Sequence, residues 1–271
     1  MVKISYSAIL GLKPSKGARS PKLWNKAYNH FHIKCKMVPI DIKEKNFQKK
    51  INSLKKDKNF IGGAITIPYK EKILKHLKGN FDRKVKRIGA VNCLIRDKKG
   101  NLYGTNTDGE AALINFRKKT LNKNIKNFVI LGYGGVGKAV TTYFAEFYKK
   151  SNFFVYVRKK NQKNYQNVTF LKWDDFSNKL HNIDALINCT SIGFLNNKSP
   201  LNSSQVSKLN KKIIIFDVIY QPRITSLIKL ANKNNIKNFN GLEMNLEQAA
   251  LAFKKTNHVK YNSQKIKKVM R

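Results

Sequence analysis

The sequence has few of the residues that build disulfide frameworks or metal centres. Three cysteines, far apart and odd in number, occur in 271 residues, and the five histidines show no metal-ligand spacing. We therefore expect reduced thiols and no bound metal. The longest apolar runs, such as residues 213–216, are only as long as a strand, and the first residues show no signal-peptide pattern. These absences predict a cytoplasmic protein that does not enter a membrane.

Acidic residues are scarce as well. The chain has 15 Asp and Glu against 55 Lys and Arg, which gives a formal net charge of +40. A charge of this size attracts anions, nucleic acid included. However, the basic residues are spread along nearly the whole chain, and no RNA-binding signature accompanies them. We therefore expect a solvated basic surface that helps to attract an anionic cofactor and substrate, and no specific nucleic-acid partner.

Strand-like and helix-like segments alternate along the chain, 41% of whose residues are hydrophobic. This alternation predicts an α/β protein with mostly parallel sheets. Helical patterns cover 43–56, the segment after the glycines that follow residue 131, and the section from Met244 onward. A hairpin is expected over 91–104, with its turn at 97–100. The remaining strand patterns cover 34–40, 60–67, 127–131, 153–157, 183–188 and 213–218. A chain of this length is expected to form two domains, with boundaries near residues 110 and 243.

Residues 132–137, GYGGVG, lie between a predicted strand and a predicted helix. This is the context of a dinucleotide-binding turn, in which glycines let a pyrophosphate approach the backbone and the N–H groups of the helix start hold it. We therefore expect cofactor contacts along this segment, from Gly132, Gly134, Gly135, Val136 and Gly137.

The end of the next predicted strand indicates which dinucleotide binds. An NAD site usually has an acidic residue there, to hold the ribose hydroxyls. This chain has Arg158, Lys159 and Lys160 instead. Cations pair well with a 2′-phosphate, which favours NADP, with Arg158 and Lys159 as its ligands.

The glycine segment also supports a competing interpretation. Residues 132–139 match a nucleoside triphosphate P-loop except at the last position, and the predicted strand over 213–217 ends in Asp as a partner strand would. The P-loop needs Ser or Thr after its lysine to hold magnesium, and Ala139 has no oxygen to offer. A nucleotide hydrolase therefore remains an alternative, as does a nucleic-acid-binding protein that has lost its enzymatic activity.

Several segments, in order along the chain, resemble the shikimate/quinate dehydrogenase family. They are residues 63–70 (GAITIPYK), 88–92 (IGAVN), 104–109 (GTNTDG), 188–193 (NCTSIG), 217–222 (DVIYQP) and 241–248, which begins GLEM and ends in Gln248. The resemblance extends over nearly the whole chain. It implies a substrate-binding catalytic domain formed by 1–110 and 244–271, a Rossmann-type NADP-binding domain formed by 111–243, and a last helix that returns to the first domain.

The resemblance also implies roles for individual residues. Lys70 is the expected proton donor and acceptor, and Asp108 its carboxylate partner, with a second role for Asp108 as the N-cap of a helix over 109–116. The expected substrate-binding residues are Ser20, Thr66, Asn92, Tyr220 and Gln248. The expected cofactor-binding residues beyond the glycine segment and its cations are Thr190, Gly241 and Met244. The implied reaction is the NADPH-dependent reduction of 3-dehydroshikimate to shikimate, a step of aromatic amino acid biosynthesis.

The chain departs from the family pattern where the substrate carboxylate is expected. The family has roughly His-Ser-x-Ser-Pro, and residues 17–21 are GARSP. Ala18 thus replaces the first serine, while Ser20 remains and is expected to cap a helix that has Pro21 in its first turn. Arg19 is a candidate for a charged hydrogen bond in place of the lost hydroxyl, and Ala64 replaces a residue that is usually Asn. Quinate or another hydroxylated ring acid therefore remains an alternative substrate, and both a monomer and a homodimer remain open.

Overall fold

The computed structural model describes residues 5–121, 123–179 and 182–271. Residues 1–4, on which part of the signal-peptide prediction rests, lie outside the described residues. The chain divides into two compact units, the first formed by residues up to 107 together with 246–271 and the second by 108–245. Within the described residues, none of the helices combines the length and hydropathy needed to cross a bilayer.

The strands and helices alternate along most of the chain. The strands are β1 (Ser5–Gly11), β2 (Cys35–Asp41), β3 (Phe60–Ile65), β4 (Cys93–Arg96), β5 (Leu102–Thr105), β6 (Asn127–Leu131), β7 (Asn152–Val157), β8 (Val168–Lys172), β9 (Ala185–Asn188), β10 (Ile214–Asp217) and β11 (Lys237–Asn240). The α-helices are α1 (Ser20–His30), α2 (Phe47–Lys56), α3 (Tyr69–Lys72), α4 (Leu74–Leu77), α5 (Arg83–Ile88), α6 (Asp108–Thr120), α7 (Gly135–Phe147), α8 (Ser203–Ser207), α9 (Ser226–Lys233), α10 (Leu242–Thr256) and α11 (Ser263–Met270). Short 3-10 helices cover Glu44–Asn46 and Trp173–Lys179.

The first unit is built on a mixed sheet of order β2-β1-β3-β4-β5. β1, β2 and β3 are parallel, and the β4–β5 hairpin adds the antiparallel edge. Alternate residues of β1 face opposite sides, so that Leu10 belongs to one core and Ile9 to the other. The second of these cores includes Trp24 of α1, Phe253 of α10 and Ile266 of α11. The C-terminal helices therefore pack within the first unit, as expected.

The second unit is built on a parallel sheet of order β11-β10-β9-β6-β7-β8. The chain runs outward from β6 to β8, returns to β9 on the other side of β6, and runs outward again to β11. This is the doubly wound arrangement, in which ligands bind beyond the carboxyl ends of the strands where the winding direction changes, here between β6 and β9. The predicted α/β class with a Rossmann-type domain is thereby confirmed.

Some elements differ from the sequence-based expectation. β1, β8 and β11 were not predicted. β11 has the sequence KNFN and lies at the edge of the sheet. An edge strand pairs with a neighbour on one side only and can be polar, so it lacks the apolar pattern by which the inner strands were predicted. The prediction that Ser20 caps α1 is wrong: Arg19 occupies the N-cap position, Ser20 is the first helical residue, and no side chain caps this helix end. Asp108 is likewise the first residue of α6.

Candidate functional site

Two loops at the carboxyl edge of the first sheet position Thr66 and Lys70. The N–H of Thr66, directly after β3, donates to the Leu10 carbonyl of β1 at 2.9 Å, and the N–H of Leu12 donates to the Ile67 carbonyl at 3.1 Å. The loops after β1 and β3 are therefore fastened together. Lys70 follows as the second residue of α3 and is half-buried.

Tyr69 anchors the short helix that carries Lys70. Its ring stacks on Phe47 with centroids 4.1 Å apart, and its hydroxyl donates to the Ile42 carbonyl at 2.5 Å. The carbonyl of Lys70 accepts a hydrogen bond from the N–H of Val91 at 2.7 Å. The backbone of Lys70 is thus held from both sides, and it lies beside the segment that contains Asn92.

The structure brings Asn92 and Gln248 together. The Asn92 side chain is buried, and its Nδ2 lies 3.5 Å from Oε1 of Gln248. Thr107 joins them: its N–H donates to Asn92 Oδ1 at 2.7 Å, its Oγ1 accepts from Asn92 Nδ2 at 3.0 Å, and the same Oγ1 donates to the Gln248 carbonyl at 3.3 Å. Sequence reasoning assigned no role to Thr107, although it lies in the GTNTDG segment that was singled out.

Ser20 lies at the start of α1, beyond the loop that follows β1. Its side chain is only 5% exposed. The first turn of α1 contains no acidic residue and Pro21 occupies an early helical position. The N-terminus of a helix attracts anions through its unpaired N–H groups and its dipole, so this end of α1 suits a carboxylate.

Asp108 and Tyr220, also predicted to serve the substrate, belong to the second unit. Asp108 is buried at the first position of α6, and Tyr220 is half-buried in the loop after β10. The predicted catalytic pair is therefore divided between the units, with Lys70 in the first and Asp108 at the start of the second.

The glycine segment forms a tight turn between β6 and α7. Gly132 has a φ of +90°, which disfavours other residues. A Cβ on Gly137 would lie 2.2 Å from the Gly132 carbonyl oxygen, so glycine is required where the helix packs on the turn. Gly134 is the N-cap of α7 and no side chain caps this helix. The first helical hydrogen bond is donated by the N–H of Lys138, so the N–H groups of Gly135, Val136 and Gly137 have no acceptor within the helix.

The predicted cations and the last two cofactor residues lie in the same unit. Arg158 and Lys159 are exposed and follow β7, which neighbours β6. They are therefore at the same sheet edge as the glycine turn. The N–H of Gly241 donates to the Ile219 carbonyl at 3.0 Å between β11 and α10, and Met244 is buried in the first turn of α10.

Thr190 packs on the glycine turn. A Cβ on Gly132 would lie 2.9 Å from Thr190 Cγ2. The Thr190 hydroxyl donates to Asn188 Oδ1 at 2.7 Å and accepts the N–H of Ile192 at 3.1 Å. The loop after β9 therefore lines the point where the winding of the sheet changes direction.

A buried carboxylate, to which only the P-loop interpretation of the sequence gave a site role, lies behind this loop. Asp217 ends β10, and it accepts hydrogen bonds from Thr225 Oγ1 at 2.6 Å, from Asn188 Nδ2 at 3.0 Å and from the N–H of Ile219 at 3.1 Å. Burial raises the pKa of Asp217 to about 6, against the opposing effect of these donors. Burial, with the charges of Asp217 and Asp108, also raises the pKa of the Cys189 thiol. The signal in the sequence was the polar end of an otherwise apolar strand.

Comparison with known proteins identifies the family. The family model of the shikimate dehydrogenase substrate binding domain matches residues 10–94 of this chain. The shikimate dehydrogenase (NADP(+)) of Methanosphaera stadtmanae is 31% identical over 263 residues, which cover 93% of this chain and 90% of the relative. That of Methanocaldococcus jannaschii is 32% identical, over 91% of this chain and 90% of the relative. This chain belongs to the shikimate dehydrogenase family.

A solved structure agrees with this assignment. A crystal structure of shikimate dehydrogenase in complex with NADP+ superposes with a TM-score of 0.85 at 28% identity, over 100% of this chain and 96% of that one. The resemblance seen in the sequence is thereby confirmed, and the P-loop hydrolase interpretation of the glycine segment is set aside. Among the described residues, no three His, Cys, Asp or Glu side chains lie close enough together to hold a metal ion.

Proposed function

We propose that this chain catalyses the NADPH-dependent reduction of 3-dehydroshikimate to shikimate. The observation that carries the proposal is the family relationship, which extends through both units at 31–32% identity to enzymes named shikimate dehydrogenase (NADP(+)). We assign substrate binding to residues 1–110 with 244–271, and cofactor binding to residues 111–243.

The second unit has features that suit NADP. The uncapped first turn of α7 offers N–H donors to a pyrophosphate, and a side chain at Gly134 would meet no atom within 4 Å, which leaves open space above the turn. Arg158 and Lys159 offer cations to a 2′-phosphate. When bound, NADPH supplies the hydride for the reduction.

The first unit has groups that suit the binding and reduction of a carboxylic acid with a ring ketone. Lys70 gives a proton to the ketone oxygen and stabilises the developing negative charge there. Asn92 and Gln248 present amides, which both donate to and accept from ring hydroxyls. Ser20, at the start of α1, accommodates the carboxylate. Thr66 of the first unit, and Asp108 and Tyr220 of the second unit, complete the proposed set.

The test is a turnover assay with purified protein. 3-dehydroshikimate is added with NADPH, and with NADH in parallel, and the loss of absorbance at the reduced-nicotinamide band is followed. We expect rapid oxidation of NADPH and slow oxidation of NADH. Absence of turnover, with NADPH binding still measurable, would contradict the substrate assignment and leave the cofactor assignment standing.

Ala18 favours a second candidate, a dehydrogenase for quinate or another hydroxylated ring acid. The segment before α1 lacks one of the two hydroxyls that hold the carboxylate in the family pattern. A panel of shikimate and quinate, run in the oxidative direction with NADP, separates the candidates by their kcat/KM values. Ala18→Ser restores the missing hydroxyl and is expected to lower the KM of the preferred acid. Failure of both acids would exclude shikimate and quinate as substrates, and would leave only another hydroxylated ring acid.

We also propose that the enzyme works in the cytoplasm. The three cysteines are free thiols, which is typical of a reducing compartment. The proposed partners are limited to the substrate and the cofactor, and both a monomer and a homodimer stay compatible with the proposed reaction.

A further inference from the structure

The hydrogen bonds behind the glycine turn form one chain, in which the donors at both ends point toward Asp217. At one end, the first turn of α9 donates the Ile228 N–H to Thr225 Oγ1 at 3.3 Å, and the Thr225 hydroxyl donates to Asp217. At the other end, the Ile192 N–H donates to Thr190, whose hydroxyl donates to Asn188. The side chains of Thr225, Asp217 and Asn188 are completely buried.

Asp217 sets the direction of this chain together with the backbone near Asn188, since Asn188 Oδ1 also accepts the Thr190 N–H at 3.1 Å and Asn188 Nδ2 also donates to the Ile192 carbonyl at 3.5 Å. An ionised carboxylate accepts hydrogen bonds and cannot donate. The Asn188 amide must therefore turn its Nδ2 toward Asp217, which it does at 3.0 Å, and its Oδ1 toward Thr190. Without the carboxylate, Asn188 Nδ2 would keep only its long bond to the Ile192 carbonyl, and the amide would be held less firmly with its Oδ1 toward Thr190.

The orientation of Asn188 then determines what Thr190 offers to a ligand. A threonine hydroxyl has one proton and two acceptor positions. Its proton is committed to Asn188 and one acceptor position to the N–H of Ile192, so one acceptor position is left. Thr190 can therefore accept a hydrogen bond from a ligand but cannot donate one. Thr190 lies beside Gly132, where the winding of the sheet changes direction.

We propose that Asp217 is a positioning residue, which through Asn188 presents Thr190 as an acceptor to a hydrogen-bond donor of the dinucleotide, either a ribose hydroxyl or the carboxamide NH2 group. The inference rests on the proposed function in that the ligand is NADPH. It goes beyond that function because it assigns Asp217 and Asn188 a part in cofactor recognition and states the polarity of the group that Thr190 contacts.

The test is a double-mutant cycle on NADPH affinity. The dissociation constant is measured from NADPH fluorescence for the wild type, Asp217→Asn, Thr190→Val and the double variant. Asp217→Asn keeps the shape and removes the charged acceptor of Asn188 Nδ2, which loosens the hold on the Asn188 amide. We expect each single change to weaken NADPH binding about tenfold. We expect the double variant to bind as Thr190→Val does, because both changes remove the same contact. The KM for 3-dehydroshikimate is expected to stay near the wild-type value in Asp217→Asn.

Thr120→Val is the matched control. Thr120 is also a fully buried threonine of the second unit, and its hydroxyl donates to the Phe116 carbonyl within α6 at 2.9 Å. We expect this variant to lose some stability and to keep its NADPH affinity. If Asp217→Asn does not fold, Thr225→Val replaces it in the cycle, with Thr225→Ser expected to restore binding.

The outcomes separate the two proposals. Wild-type affinity in Asp217→Asn, or additive effects in the double variant, would overturn the role of Asp217 and leave the proposed reaction untouched. NADPH binding without turnover of 3-dehydroshikimate would overturn the proposed reaction, while the cycle still tests the positioning role. A wild-type protein that does not bind NADPH would overturn both.

Discussion

Lys70 is presented by a helix only four residues long, which has little stability of its own. Its position comes instead from its neighbours. The ring of Tyr69 is stacked in the core, and the Lys70 carbonyl is bonded to the N–H of Val91. The backbone from which the Lys70 side chain extends is therefore held in place. A proton donor needs this, because catalysis depends on its distance from the reacting oxygen.

The first prediction concerns the lysine itself. Lys70→Ala removes the proposed proton donor and is expected to lower kcat by about 100-fold to 10,000-fold. The NADPH dissociation constant should not change, because the proposed cofactor residues lie elsewhere. Lys72→Ala is the control, since Lys72 belongs to the same helix and pairs with Glu44 on the surface. Near-native turnover in Lys70→Ala would show that another group transfers the proton.

The second residue-scale prediction concerns Asp217. Burial raises its pKa from 3.8 to about 6, so the folded state keeps a proton that the unfolded chain releases between these two values. The free energy of unfolding therefore falls as the pH rises from about 4 to about 6, and this group accounts for about 3 kcal/mol of the fall. Urea unfolding across this range should show a shallower dependence in Asp217→Asn. Parallel profiles for the two proteins would contradict the raised pKa.

The elements around the glycine turn explain why the proposed cofactor site lies at this edge of the sheet. β6 is the central strand from which the sheet winds in both directions, and α7 starts directly after its turn. Because parallel strands end at one edge, the loops after β6, β7 and β9 meet there. Each loop then contributes a different chemistry: N–H donors from α7, cations from the end of β7, and an acceptor from Thr190.

A third prediction tests the cationic loop after β7. Arg158→Ala should weaken NADPH binding about tenfold to 100-fold, since a charged hydrogen bond contributes about 1.5–3 kcal/mol. NADH binding should change little, because NADH lacks the 2′-phosphate. Lys150→Ala is the control: Lys150 is exposed and precedes β7, at the opposite end of that strand. Equal losses for the two cofactors would remove the basis for assigning NADP specificity to Arg158.

At the scale of the whole molecule, the net charge of +40 acts on every anion nearby. Both proposed ligands are anionic, so the field raises their local concentration. The same field attracts nucleic acid through phosphate contacts, which depend strongly on salt because bound counterions are released.

The charge leads to a prediction about nucleic acid. Binding of a mixed-sequence duplex to the protein should be measurable at about 50 mM salt and should weaken by orders of magnitude by about 200 mM. Fluorescence anisotropy over a salt series measures this directly. Tight binding that persists at physiological salt would indicate a specific nucleic-acid function in addition to the proposed catalysis.

The sequence alone determined those features that depend on local pattern. The apolar strand, the glycines and the following helix over 127–147 specify a dinucleotide turn, because each part is a short-range requirement of backbone geometry. The alternation of elements determined the α/β class. The cations at the end of β7 indicated NADP for the same reason, since their place after a strand can be read along the chain.

Only the tertiary structure decided how distant residues are combined. Asn92, Thr107 and Gln248 share hydrogen bonds although 156 positions separate the first from the last. Asp217 gained a role only when its strand was paired beside β9, which places it against Asn188. Strand β11 was likewise settled by its pairing with β10. Long-range pairing decides which polar groups lose water and which partners they find, and no local pattern in the sequence records that.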